Sequence, residues 1–246
     1  MLINYYLMLM ETMTSEEFAR LSQKVKSVII PVGSIEAHGP HLPLATDLYT
    51  IYEICKTLIE DLPIFLAPPL YFGVCRSTRD LPGTISIRGE TLKSLLRDIL
   101  YSFYRQGLKN FIILSGHAGG THNAFLIDTA ENFIEEFKDT KFLVADIYSL
   151  LKEDLSVLGL MEEDSHAGEW ETSLMLYLKK DLVKNLERSY QDYPKFPRFH
   201  IVRDKNSFWN SGIWGDPQRA TPQKGQLLAA KLIEKIKNLI EEFWSS

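Results

Sequence analysis

The apolar residues of this chain fall into two kinds of run. Short blocks at Ser27 to Val32 (SVIIPV), Ile64 to Ala67, Phe111 to Leu114 (FIIL) and Phe142 to Ala145 (FLVA) are apolar throughout rather than alternating, as expected of strands covered on both faces. Between and after them, apolar residues recur at helical spacing over Asp47 to Leu62, Glu90 to Gln106, Asn123 to Phe137, Trp170 to Leu178 and Pro222 to Trp244. In the last of these the apolar residues at helical spacing are Leu227, Leu228, Leu232, Ile236 and Ile240. Strands separated by helices predict an α/β layer fold with a mainly parallel sheet.

Local signals sharpen the boundaries. Thr14 and Glu17 make a capping box ahead of Phe18 and Leu21, so a short helix precedes the first strand. Gly107 stands where a left-handed C-cap closes the helix before FIIL. Residues 189–221, with Pro194, Pro197 and Pro217, are the least regular and predict long loops or a small subdomain. With no internal repeat, low-complexity segment or linker, residues 1–246 are expected to form a single domain.

Composition narrows the class. With 246 residues, 45% of them hydrophobic and 24% charged, the chain is large enough to bury a sizeable core. The net charge of -5 comes from intermixed signs, so there is no basic face to collect phosphates along a nucleic acid. The opening MLINYYLMLM lacks a positive start and a small-residue cleavage site, and does not read as a signal peptide. No run approaches the roughly 18 apolar residues needed to span a bilayer. The two cysteines, Cys55 and Cys75, offer neither a disulfide framework nor a CxxC pair, which suits a reducing, cytoplasmic setting. Cys55 reads as core and Cys75 as a loop thiol.

Candidate chemistry gathers around histidine. Of six histidines, five (His38, His41, His117, His122 and His166) fall in three short segments beside glycines and carboxylates. Two of those segments directly follow predicted strands, at the carboxyl ends where α/β sheets place their ligands.

In the first segment, GSIEAHGPHLPLATD (residues 33–47), Glu36 and His38 are two apart. In an extended stretch they point to one side and approach a common point. Asp47 would cap the following helix. Two carboxylates and an imidazole suit a borderline divalent ion, while the plainer alternative makes Asp47 only an N-cap and His38 a loop residue. In the second segment, SGHAGGTHN (115–123), glycines turn the chain sharply at the strand end and present His117 in a crevice above the sheet. The alternative is an anion cradle with His117 and His122 incidental. His122 reads as a supporting or surface residue.

In the third segment, DSHAGEWETS (164–173), a helix starting near Gly168 would place Glu169 and Glu171 about 200° apart around its axis, so only one faces a common site. The other is expected to be a solvated charge complementing the helix N-terminus. His166, in the loop before them, is free to act as a general acid or as a ligand.

Taken together, GSIEAHGPHLPLATD, PGTISI, GHAGG, HAGEWETS and GDPQRAT, in that order from about Val28 to Gly225, resemble the creatininase (creatinine amidohydrolase) family. The resemblance implies a three-layer α/β/α sandwich, a binuclear centre of two divalent ions per chain (Zn²⁺ or Mn²⁺, with Fe²⁺ also allowed) and a symmetrical oligomer, a hexamer by analogy. By motif it makes Glu36, His38, Asp47 and His117 metal ligands, with Asp47 bridging, and His166 the proton-transfer residue. In creatininase itself a ligating glutamate follows two residues after the histidine of the second motif, where this chain has Gly119. The fifth ligand must therefore come from elsewhere, and Glu171 is assigned to it, which places it in both the metal and the catalytic set. This departure argues against creatinine as the substrate. A second departure lies at residues 71–86, where similar members carry a serine and then a histidine in place of Cys75 and Thr78.

The expected function is metal-dependent hydrolysis of a cyclic or linear amide C–N bond in a small molecule. The alternatives are a deformylase acting on a formamide of a nucleotide-like intermediate, and a member that keeps the metal-binding fold without the activity.

Overall fold

The computed structural model describes residues 8–245, so most of the MLINYYLMLM segment lies outside the described residues. Four strands form one parallel sheet: β1 (Ser27–Val32), β2 (Phe65–Leu66), β3 (Asn110–Ser115) and β4 (Lys141–Asp146), in the order β2-β1-β3-β4. The helices are α1 (Ser15–Leu21), α2 (Thr46–Leu58), α3 (Gly89–Arg105), α4 (Gly120–Glu136), α5 (Ile147–Leu151), α6 (Glu169–Leu178) and α7 (Pro222–Ser245).

Parallel strands need crossovers, and crossovers are right-handed. The step from β1 to β2 runs one way along the sheet, while those from β2 to β3 and from β3 to β4 run the other. Helix α2 therefore lies on one face, and α3 and α4 on the opposite one. Helices α6 and α7 pack with α2, which completes the three-layer α/β/α sandwich. The strand order reverses between β1 and β3, and a crevice opens there at the carboxyl ends.

Burial follows the sequence pattern closely in the centre. Every residue of β1 is buried, as are Phe111 to Ser115 of β3. On α7, Leu228, Leu232, Ile236 and Ile240 are fully buried, each contributing about 1.5–3 kcal/mol of transfer free energy. Leu227, grouped with them by spacing, is 54% exposed. The predicted strand from Ile64 to Ala67 shortens to its middle pair. Residues Phe142 to Ala145 are only half-buried, because β4 is the edge of the sheet and has a neighbour on one side alone.

The capping box at Thr14 and Glu17 is present, and Gly107 adopts a left-handed φ of 89°. Residues 189–221 form irregular chain with one short 3-10 turn, Pro217–Arg219. A strand-like bridge from His166 to Trp214 ties this region to the third histidine segment, and one from Asp192 to Gly215 closes it on itself. Among the described residues no helix is long and apolar enough to cross a membrane.

Candidate metal centre

The loops after β1 and β3 meet at the switch point, together with the N-terminus of α6. Gly116 makes the approach close: a Cβ there would lie 1.9 Å from the Asp47 carbonyl oxygen, so only glycine lets β3 end against the first turn of α2. Asp47 is therefore set into the crevice rather than capping the helix. The N-cap position belongs to Ala45, and no side chain caps α2.

Asp47 is the hub. Its Oδ1 lies 3.0 Å from His38 Nε2, and its Oδ2 lies 3.1 Å from His117 Nδ1 and accepts from Ser34 Oγ at 2.7 Å. On the Oδ2 side, Glu36, Cys75 and His117 bring an oxygen, a sulfur and a nitrogen within 4.8 Å of one another. On the Oδ1 side, His38, His166 and Glu171 do the same. Glu36 and His38 thus stand in different groups rather than at one point, because the chain after β1 is irregular and the same-side rule of an extended strand does not hold there.

Each of three imidazoles is oriented by a backbone carbonyl. His38 Nδ1 donates to Glu36 O at 3.0 Å, His117 Nε2 to Val74 O at 3.3 Å, and His166 Nε2 to Ala37 O at 2.9 Å. A carbonyl only accepts, so that nitrogen must carry the hydrogen, and the opposite nitrogen is the one left to ligate.

The electrostatics ask for a cation. Glu36, Asp47 and Glu171 are buried, and among the described residues their only ion-pair partners are His38 and His117. Burial opposes charging His38, yet Asp47, Glu171 and Glu36 outweigh it and raise its pKa to about 10. His117 is raised in the same way by Glu36 and Asp47. Burial together with the nearby Asp47 carboxylate pushes Glu171 up to about 8, against the pull of His38. Burial and the charge on His38 lower His166 to about 4. Two protonated imidazoles stand where divalent ions fit the donor set: carboxylates, oriented imidazoles and one thiol.

The third segment resolves its two glutamates. Glu171 points into the site and accepts a short hydrogen bond from Ala167 N. Ala167 itself holds a left-handed φ of 48°, a strain of roughly 1 kcal/mol or more stored between His166 and Gly168. Glu169 faces away, as the helical angle requires, but it is not solvated. It is fully buried, paired with Lys224 and with Arg219 at 3.4 Å, and accepts from Met161 N at 3.1 Å. Residues distant in sequence supply those cations, so the pairing was invisible locally.

Several contributors escaped the sequence reading. Ser34 holds Asp47 and lies 3.3 Å from Glu36, and Thr78 bonds Glu36 through a short contact. Asp164 accepts from Trp170 N at 2.7 Å and so holds the start of α6. Cys75 lies in a loop, as expected, and is fully buried there. His122 is buried too, accepting from Val74 N at 3.2 Å beside the His117 ring. A cleft of about 300 Å³ opens over the carboxylates, walled by Trp209 and Trp214 and bordered by Arg76 and Lys205.

Residues 11–240 match the sequence model of Creatininase, described as creatinine amidohydrolase. The chain belongs to the creatininase family. It is accordingly a hydrolase acting on C–N bonds, and the family fold is the one observed. The creatinine amidohydrolase of Pseudomonas putida is 26% identical over 233 residues, covering 87% of this chain and 88% of that protein. A mycofactocin precursor peptide peptidase of Mycolicibacterium smegmatis is 27% identical over 226 residues, covering 87% and 84%. Among solved structures, a mutant creatininase of Zn–Zn type superposes with a TM-score of 0.86 at 26% identity, and a manganese creatininase with 0.87 at 25%. Each covers 96% of this chain and 98% of its own. These two creatininase structures are thus of zinc and manganese type.

Proposed function

We propose that this creatininase-family protein hydrolyses an amide C–N bond in a small molecule with two divalent ions per chain. Glu36, His117 and Asp47 would hold one ion, and His38, Glu171 and Asp47 the other. The observation that carries the reading is the division of the donors into two groups, one on each oxygen of Asp47. When bound, the ions supply Lewis acidity toward a carbonyl oxygen and an acidified water.

The residues do the rest. His166, buried and with its Nε2 hydrogen donated to the Ala37 carbonyl, leaves Nδ1 as a proton acceptor beside the second group. It takes a proton from the attacking water and delivers it to the departing nitrogen, without which an amide leaves poorly. Trp209 and Trp214 wall the cleft against bulk water. Arg76 and Lys205 at its border favour a substrate that carries an anionic group. Burial and the neighbouring Arg79 and Arg76 lower the Lys205 pKa, a sign of cations gathered without enough anions. A phosphorylated formamide is the form of this reading closest to the deformylase alternative.

Elemental analysis of protein expressed with zinc and manganese, followed by a panel of lactams, formamides and linear amides with and without an acidic substituent, tests the proposal. About two ions per chain and faster turnover of acidic amides are expected; no bound metal, or no hydrolysis of any amide, overturns it. Binding must also release protons, because His38 and His117 hold theirs until a cation replaces them. Metal affinity therefore rises with pH throughout the range below about 10. Calorimetry in buffers of different ionisation enthalpy reads this directly.

A further inference from the structure

The two cysteines of this chain sit in opposite surroundings. Cys55 lies on α2 within the apolar core, and burial alone pushes its thiol up. Cys75 is equally buried, yet its sulfur stands with the Glu36 carboxylate and the His117 ring, all within 4.8 Å of one another. A thiol packed against buried carboxylates gains nothing as a hydrophobe. It gains a great deal as a ligand, since a cation held there is bound by oxygen, nitrogen and sulfur at once.

The local chain holds Cys75 in that place. The Val74 carbonyl accepts from His117 Nε2 and the Val74 amide donates to His122 Nδ1, while the Cys75 amide donates to Ser86 Oγ at 2.9 Å. Gly119 closes the other approach: a Cβ at that position would lie 2.5 Å from His117 Nε2, so no side chain from there can reach this ion past the ring as it is set.

We infer that Cys75 binds as a thiolate to the ion held by Glu36 and His117, making this half of the centre select zinc over manganese. The inference rests on the two-ion reading above. On binding, the S–H proton leaves to solvent and the sulfur lone pair is shared with the cation. Sulfur favours a softer ion, so manganese is left to compete only for the site formed by His38, Glu171 and Asp47.

Two measurements on the full-length, metal-stripped protein test it. Reloading with Co²⁺ should give thiolate-to-cobalt charge-transfer absorption in the near ultraviolet. The band should persist in Cys55→Ser and vanish in Cys75→Ser, whose zinc-over-manganese preference should fall by about tenfold or more. Zinc-edge X-ray absorption on the unmutated protein should find one sulfur at about 2.3 Å, independently of whether the variants fold. Bound metal with no sulfur neighbour overturns the role of Cys75 and leaves the two-ion reading standing; failure to bind cobalt, zinc or manganese overturns both.

Discussion

The two donor groups beside Asp47 draw on the same loop but are completed by different parts of the molecule. The Glu36 group is closed by His117, at the end of β3, and by Cys75, in the loop after β2. All of its elements are anchored to strands whose residues are almost wholly buried. The His38 group is closed by His166 and Glu171, from a turn that contains a left-handed alanine and is braced by the irregular 189–221 region. One half is built by the sheet and the other by a loop packed onto it. The sheet-built half is expected to hold its ion more firmly, and the loop-built half to provide the chemistry that must adapt to substrate.

Removing the hub is the largest perturbation. Asp47→Asn should lose both ions and reduce turnover to background, since each oxygen serves one group. Retention of one tightly bound ion, read by elemental analysis, would show that Asp47 does not bridge.

Glu171→Gln comes next and breaks the symmetry of the comparison. One ion per chain should remain, on the Glu36 side, while affinity for the other falls by at least about 100-fold, the upper end of losses seen for supporting partners. Loss of both ions together would mean that the loop-built half sustains the sheet-built one.

His166→Ala separates chemistry from metal holding within the loop-built half. Turnover should fall by about 10²-fold with both ions retained, the scale for losing a positioned proton carrier. If one ion leaves with the side chain, His166 is a ligand.

The smallest effect on activity is expected at Glu169, two residues before Glu171 and facing the other way. Glu169→Gln should leave metal content and kcat nearly unchanged while lowering stability by about 1–3 kcal/mol. That is less than for a wholly buried pair, because Arg219 and Lys224 reach solvent. Urea titration reads it, and an unchanged midpoint would show that the pairing contributes nothing.

The strands, the major helices and the six histidines and carboxylates that converge in the crevice were legible because each is encoded locally. A continuous apolar run marks a central strand, and a histidine beside glycines at its end marks a crevice. Helical spacing alone also established that Glu169 and Glu171 cannot share a site. What local pattern could not say was which glutamate is solvated. Neither is, because the cations that neutralise Glu169 come from the GDPQRAT turn and from α7, some fifty residues on.

The sequence by itself determined the layer architecture, the position of the crevice and the residue types that fill it, since all three follow from periodicity and from the order of motifs along the chain. Only the tertiary structure decided how the donors are divided. Glu36 and His38 part company on either side of Asp47, and Cys75, read only as a loop thiol, is buried beside Glu36 and His117. The reason is physical: ligation depends on ångström-scale convergence of side chains from loops without a regular period, and such loops take their shape from what they pack against rather than from their own residues.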